Sequence, residues 1–186
     1  MTEITTKKAL TDTFLQQKQY FANNTYPSYR ERISDLNKLK KIIIDNQEVF
    51  ISAMSQDFGH RSAGDSRIGD ILTTVMGINY AIKKLKSWMK PEKKHIDLLF
   101  QPAKGSVIYQ PKGVIGIIAP WNYPLFLTLG PLTAALAAGN TAMMKMSEYT
   151  PKTNSLLAKL VANVFPTEQV AIVCGEADMA AEFSRV

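Results

Sequence analysis

The segment "IIAPWNYPLF" at 117–126 sets Trp121, Asn122 and Tyr123 between two prolines, directly behind an apolar run. Pro120 and Pro124 carry no backbone N–H to donate to a sheet ladder, so a strand that reaches this point must leave its sheet in a turn. That turn presents Asn122. A primary amide held there could donate to an oxygen that gains negative charge during a reaction, or it could close the turn through its own backbone. A second group of polar residues stands at 145–150, where Lys145 ends the apolar run "TAMM" and Glu148 follows three residues later. A lysine at the end of such a strand lies at the edge where ligands bind in open α/β sheets. Glu148 can also belong to the entry of the next helix, where an acidic side chain is electrostatically favourable, with Thr150 as a cap and Pro151 in the first turn.

Other reactive side chains are few. The single cysteine, Cys174, follows the apolar run "VAIV" and precedes a glycine, so it reads as a buried, inert thiol. One cysteine excludes an intrachain disulfide and a cysteine-rich zinc site, and with only His60 and His95 beside it no metal site is expected. The net charge of +6 is densest in "KKLKSWMKPEKK" at 83–94. There Ile68, Ile71, Leu72, Val75, Ile78, Ile82, Leu85 and Met89 recur at helical spacing, which puts the lysines on a solvated face and makes nucleic acid an unexpected partner. The first residues are polar and charged throughout, and no apolar run approaches membrane-spanning length, so a cytoplasmic protein is expected.

The elements that must position these groups follow from periodicity. Residues 1–100 are expected to be helical, with Leu36, Leu39, Ile43, Phe50 and Met54 forming one apolar stripe, Asp65 or Ser66 capping the helix that carries the second, and Pro91 ending it. A charged linker leads to "GSVIYQP", a strand candidate within 101–112. From Gly113 onward, short apolar runs alternate with helical patterns as β-α-β-α-β-α through residue 186. Strands buried on both faces and joined by helical crossovers pair in parallel. The expected fold class is therefore α/β, a helical N-terminal segment followed by half of a Rossmann-like doubly wound parallel sheet at 113–186. Small residues in "TAALAAGN" let the first crossover helix lie close to the sheet, and Gly139 suits its C-terminal cap. The G-x-G-x-x-G fingerprint is absent from the first strand-to-helix turn, since Gly113 and Gly116 lie before the turn or inside the strand. A dinucleotide bound here has its pyrophosphate held in another way.

Taken together, "PWNYP", the small-residue helix ending in Gly-Asn and the Lys-x-Ser-Glu-x-Thr-Pro motif at 145–151 closely resemble the aldehyde dehydrogenase family. The helical first hundred residues and "AKGSVIYQPKGVIGIIAPWNYP" are most similar to its fatty, aromatic and coniferyl aldehyde branch. The resemblance implies oxidation of an aldehyde to a carboxylic acid with NAD, NADP being the alternative. It implies that Asn122 donates to the oxyanion formed when a cysteine thiolate attacks the aldehyde. It also implies that Lys145 reaches the adenosine ribose and that Glu148 accepts from the ribose hydroxyls. Pro120, Trp121, Ile118 and Ala119 would line the cofactor crevice, with Ser147 beside it, although plain core packing is an equal alternative for Trp121. Family members are more than twice as long, and their nucleophilic cysteine, general-base glutamate and most of their catalytic domain match nothing here, so the chain is expected to be an amino-terminal fragment. The segment 101–112 would belong to an oligomerisation hairpin, implying a homodimer or larger homo-oligomer. The rival expectations are a non-catalytic remnant or interaction module, and an NAD-binding piece that needs a separate catalytic half.

Overall fold

The computed structural model describes residues 5–186, so the first four residues of the polar leader lie outside it. Three helices come first: α1 (Lys7–Asn23), α2 (Tyr29–Asp45) and α3 (Gln47–Asp57). Helix α2 opens with a reciprocal cap in which Ser28 Oγ accepts from the Glu31 N–H and the Glu31 carboxylate accepts from the Ser28 N–H. The predicted stripe of Leu36, Leu39, Ile43, Phe50 and Met54 is buried completely, divided between α2 and α3.

Next, α4 (Ala63–Ser66) runs through a π-helical turn (Arg67–Leu72) into α5 (Thr73–Trp88). Two expectations change here. The cap is Ser62, whose Oγ accepts from the Asp65 N–H; Asp65 and Ser66 are already helical. The wider π turn also shifts the phase of the apolar stripe. Ile68 and Leu72 are exposed, Asp70 and Thr74 take buried positions, and Ile71, Ile78 and Leu85 stay in the core. The lysines of 83–94 are exposed, as the solvated-face reading requires. The charged linker itself forms a strand: β1 (Glu92–Lys94) pairs antiparallel with β2 (Gly105–Val107).

The remaining chain is β3 (Val114–Ile118), α6 (Pro124–Ala138), β4 (Thr141–Lys145), α7 (Pro151–Ala162), β5 (Val170–Val173) and α8 (Ala177–Phe183). The strands are parallel in the order β3-β4-β5, which puts β4 at the centre. Alternation along β4 divides the core. Ala142 and Met144 pack toward α2, α3, α5, α6 and α7, whereas Met143 faces Leu10 of α1 and Met179 and Phe183 of α8. The sheet is thus covered on both faces, each buried Leu, Met or Phe contributing about 1.5–3 kcal/mol. Gln17 of α1, fully buried, donates to the carbonyls of Ala142 and Thr167 and ties that helix to the sheet. Gly139 ends α6 at φ 86°, where a Cβ would lie 2.7 Å from the Arg32 guanidinium. Arg32 Nη1 in turn donates to the Ala137 carbonyl.

Candidate functional site

The C-terminal edge of the sheet gathers most of the residues singled out from the sequence. Ile118 stands opposite Lys145 in the β3–β4 register, Lys145 stands opposite Val173 across β4–β5, and the Ala119 N–H donates to the Lys145 carbonyl at 3.0 Å. The turn containing Asn122 and the motif containing Glu148 therefore leave the same edge of adjacent strands. Ala119 is buried, Pro120 is exposed and Ile118 is half-exposed. Trp121 is 51% exposed and lies against the Phe58 ring, with centroids 6.1 Å apart, so core packing does not describe it. Ser147 is buried, and its hydroxyl accepts from the Tyr149 N–H.

Lys145 is 2% exposed at the end of the central strand. Its Nζ donates to Glu148 Oε2 at 2.8 Å, so the buried ammonium has its counter-charge three residues away. That bond holds the Glu148 carboxyl below the usual carboxylate range. Cys174 follows β5 at the same edge and is half-buried; burial pushes its thiol up, only partly opposed by the Lys145 charge. A thiol raised in this way is a poor nucleophile near neutral pH, consistent with the inert reading.

Asn122 is exposed, and among the described residues its side-chain amide has no hydrogen-bond partner. The self-closing turn therefore does not form. The Asn122 backbone carbonyl instead accepts from Arg61 Nη1 at 3.1 Å. Helix α6 begins at Pro124, and its next two N–H groups, of Leu125 and Phe126, both donate to Asp70 Oδ1 at 3.0 Å. Asp70 is wholly buried; desolvation raises its carboxyl above the ordinary value, opposed by the Phe126 N–H and by the Arg61 charge. Its other oxygen lies 3.1 Å from Arg61 Nη2, an ion pair not aligned as a hydrogen bond.

Helix α7 repeats the arrangement. Pro151 is its first residue, and the N–H groups of Lys152 and Thr153 donate to Asp57 Oδ1 and Oδ2, each at 2.8 Å. Thr150 occupies the N-cap position of α7 as expected, but its side chain makes no capping bond; its hydroxyl donates to Asn154 Oδ1 at 3.0 Å, with the Ser147 carbonyl 3.3 Å away. Sequence inspection missed Asp57, Arg61 and Asp70, because no local motif marks a carboxylate that caps a helix fifty-five or more positions away.

These two caps bear on ligand binding. Free helix N-termini attract phosphate. Those of α6 and α7 are already occupied by carboxylates, which would repel one. A phosphate group would meet a carboxylate at either terminus, whereas the Glu148 carboxylate beside Lys145 could accept hydrogen bonds from the hydroxyl groups of a ligand. A groove of about 900 Å³ lies between α5 and α6, against Trp88 and Tyr109. Among the described residues no group of three His, Cys, Asp or Glu could hold a metal ion. No helix there is long and apolar enough to cross a membrane.

An open parallel sheet, covered by helices on both faces and carrying its polar residues at the C-terminal strand ends, defines a doubly wound α/β protein of the Rossmann-like kind. Within that class, the chain belongs to the aldehyde dehydrogenase family, whose family model matches residues 6–185. It is 46% identical over 173 residues to a probable coniferyl aldehyde dehydrogenase of Pseudomonas aeruginosa, covering 93% of this chain and 36% of that protein. It is 40% identical over 153 residues to a coniferyl aldehyde dehydrogenase of a Pseudomonas species, covering 82% of this chain and 31% of the relative. A substrate-bound AldH structure from Staphylococcus aureus superposes with a TM-score of 0.91 at 28% identity, over 95% of this chain and 38% of that one. The chain spans about a third of the length of the curated relatives it matches.

Proposed function

We infer that this chain is the cofactor-side part of an enzyme that oxidises an aldehyde to a carboxylic acid with NAD, coniferyl aldehyde or a related aromatic aldehyde being the substrate class its relatives' names suggest. The observation that carries this reading is the β3–β4 register, which sets the Asn122 turn and the Lys145–Glu148 pair at one sheet edge. NAD, when bound, accepts a hydride from the carbon being oxidised. Glu148 accepts from the ribose hydroxyls, and Lys145 holds that carboxylate in place while reaching the same ribose. The ionised Glu148 disfavours the extra phosphate of NADP, and the nearest cation is already engaged with it. Ile118, Ala119, Pro120 and Trp121 form the wall of the crevice, with Ser147 behind it.

Asn122 acts at the reacting end. Its unpartnered amide donates to the substrate oxygen as a thiolate from the rest of the enzyme adds to the carbonyl and that oxygen becomes negative. A fixed donor whose bond strengthens with the developing charge lowers the barrier, and loss of one such donor costs about 2.7–4 kcal/mol. Residues 101–112 belong to a hairpin that joins subunits of a homo-oligomer. Its exposed Leu98, Leu99 and Phe100 favour that role, because a cluster of bare apolar side chains marks a contact surface.

The test is made in a protein of the family's full length. Asn122→Ala is expected to lower turnover about 100- to 1,000-fold with NAD affinity nearly unchanged. Asn122→Asp, which keeps the size but faces the oxyanion with a negative charge, is expected to be at least as harmful. Steady-state kinetics and cofactor titration, with folding checked by thermal unfolding, measure both. Near-normal turnover of Asn122→Asp would remove the oxyanion role.

A further inference from the structure

We propose that Arg61 and Asp70 are positioning residues for Asn122, a two-sided clamp that fixes the 122–126 turn so that the amide meets the substrate oxygen without rearranging. This rests on the oxyanion reading of Asn122 given above. On one side, the Arg61 guanidinium is held between the rings of Phe58 and Tyr123, 5.0 and 4.8 Å from their centroids, and its side chain is 6% exposed. From there Nη1 donates to the Asn122 carbonyl while Nε donates to Asp65 at 2.8 Å. On the other side, Asp70 takes the Leu125 and Phe126 N–H groups and pairs with the same guanidinium. The turn is gripped at its start and at its end by two side chains that grip each other.

Two features of the backbone serve this clamp. Asp70 lies buried within the π turn, and such turns are frequent at functional sites. One residue earlier, Gly69 leaves room for the Tyr123 ring: a Cβ there would lie 2.5 Å from the ring's Cε1. A pair kept only for stability needs neither the two aromatic rings against the guanidinium nor the bond to the Asn122 carbonyl. Asn122 gains from both, because an oxyanion donor is effective only when its geometry is set in advance.

A double-mutant cycle in the full-length enzyme separates the possibilities. Arg61→Lys keeps the charge but loses the planar fork, and Gly69→Ala leaves both charged groups intact while displacing the Tyr123 ring. Either change is expected to lower kcat about 10-fold or more, with KM for NAD altered less than about 2-fold. In an Asn122→Ala background the same change is expected to cost less than about 2-fold, because groups acting through one residue are not additive. Should Arg61→Lys fail to fold on thermal unfolding, Gly69→Ala carries the cycle. A loss that multiplies in full in the Asn122→Ala background, or no loss in the wild-type background, overturns the clamp and leaves the oxyanion role standing. Normal turnover of Asn122→Ala itself overturns both.

Discussion

Among single residues, Lys145 and Glu148 show how a buried charge is made tolerable. An ammonium at the end of a central strand is costly unless it is paired, and the partner at 2.8 Å lies on the strand's own exit. The pairing has a pH signature with a definite sign. The Glu148 carboxyl titrates below its ordinary value in the folded protein, so the stability it contributes is present above about pH 4.5 and is lost as pH falls through its folded value. Glu148→Gln is therefore expected to lower the melting temperature at neutral pH, with the two curves converging in acid. The same variant is expected to weaken NAD use and relatively favour NADP in the full-length enzyme, read as the ratio of kcat/KM for the two cofactors. A gap in melting temperature that persists unchanged in acid would show that the carboxylate charge is not what stabilises this edge.

At the scale of elements, the two crossover helices share one design. Each begins with proline, which has no N–H to satisfy, and each takes the cap for its next two N–H groups from an aspartate of the N-terminal helical layer. The caps therefore also fasten that layer to the sheet. Asp57→Ala leaves two donors of α7 without their acceptor and is expected to destabilise the fold by about 1–2 kcal/mol. For a domain of this size that corresponds to a lower melting temperature by about 2–8 °C. Asp57→Asn keeps an acceptor and is expected to lose less. Thermal and urea unfolding of both variants measure the difference, and an Asp57→Ala change within about 0.3 kcal/mol of wild type would mean that water satisfies α7 equally well.

For the whole molecule, two helical layers enclose a three-stranded sheet whose C-terminal edge carries the Asn122 amide and the Lys145–Glu148 pair, with one thiol nearby. That thiol, Cys174, is desolvated, and the Thr5 side chain and backbone hold its backbone N–H and carbonyl. The 186-residue chain by itself is accordingly expected to produce no NADH above background with aromatic or aliphatic aldehydes. Absorbance at the reduced-nicotinamide band, followed with and without Cys174→Ser, measures this. Production abolished by that substitution would make Cys174 the nucleophile and reverse the reading of its environment.

The sequence by itself determined the order of elements from Gly113 onward, the parallel pairing, the turn at Asn122, the Gly139 cap and the family, because each depends on local chemistry: apolar runs, prolines without N–H, a glycine at positive φ. It also marked the positions whose roles remain proposals, Asn122, Lys145 and Glu148, by residue type and motif. Only the tertiary structure decided what holds them. The bonds of buried Asp70 to the start of α6, the grip of Arg61 on the Asn122 carbonyl and the capping of α7 by Asp57 all join residues far apart in the chain. A helical period read along one segment says nothing of what Asp70 meets, because periodicity records a segment's own pattern and not the N–H groups that another segment brings to it.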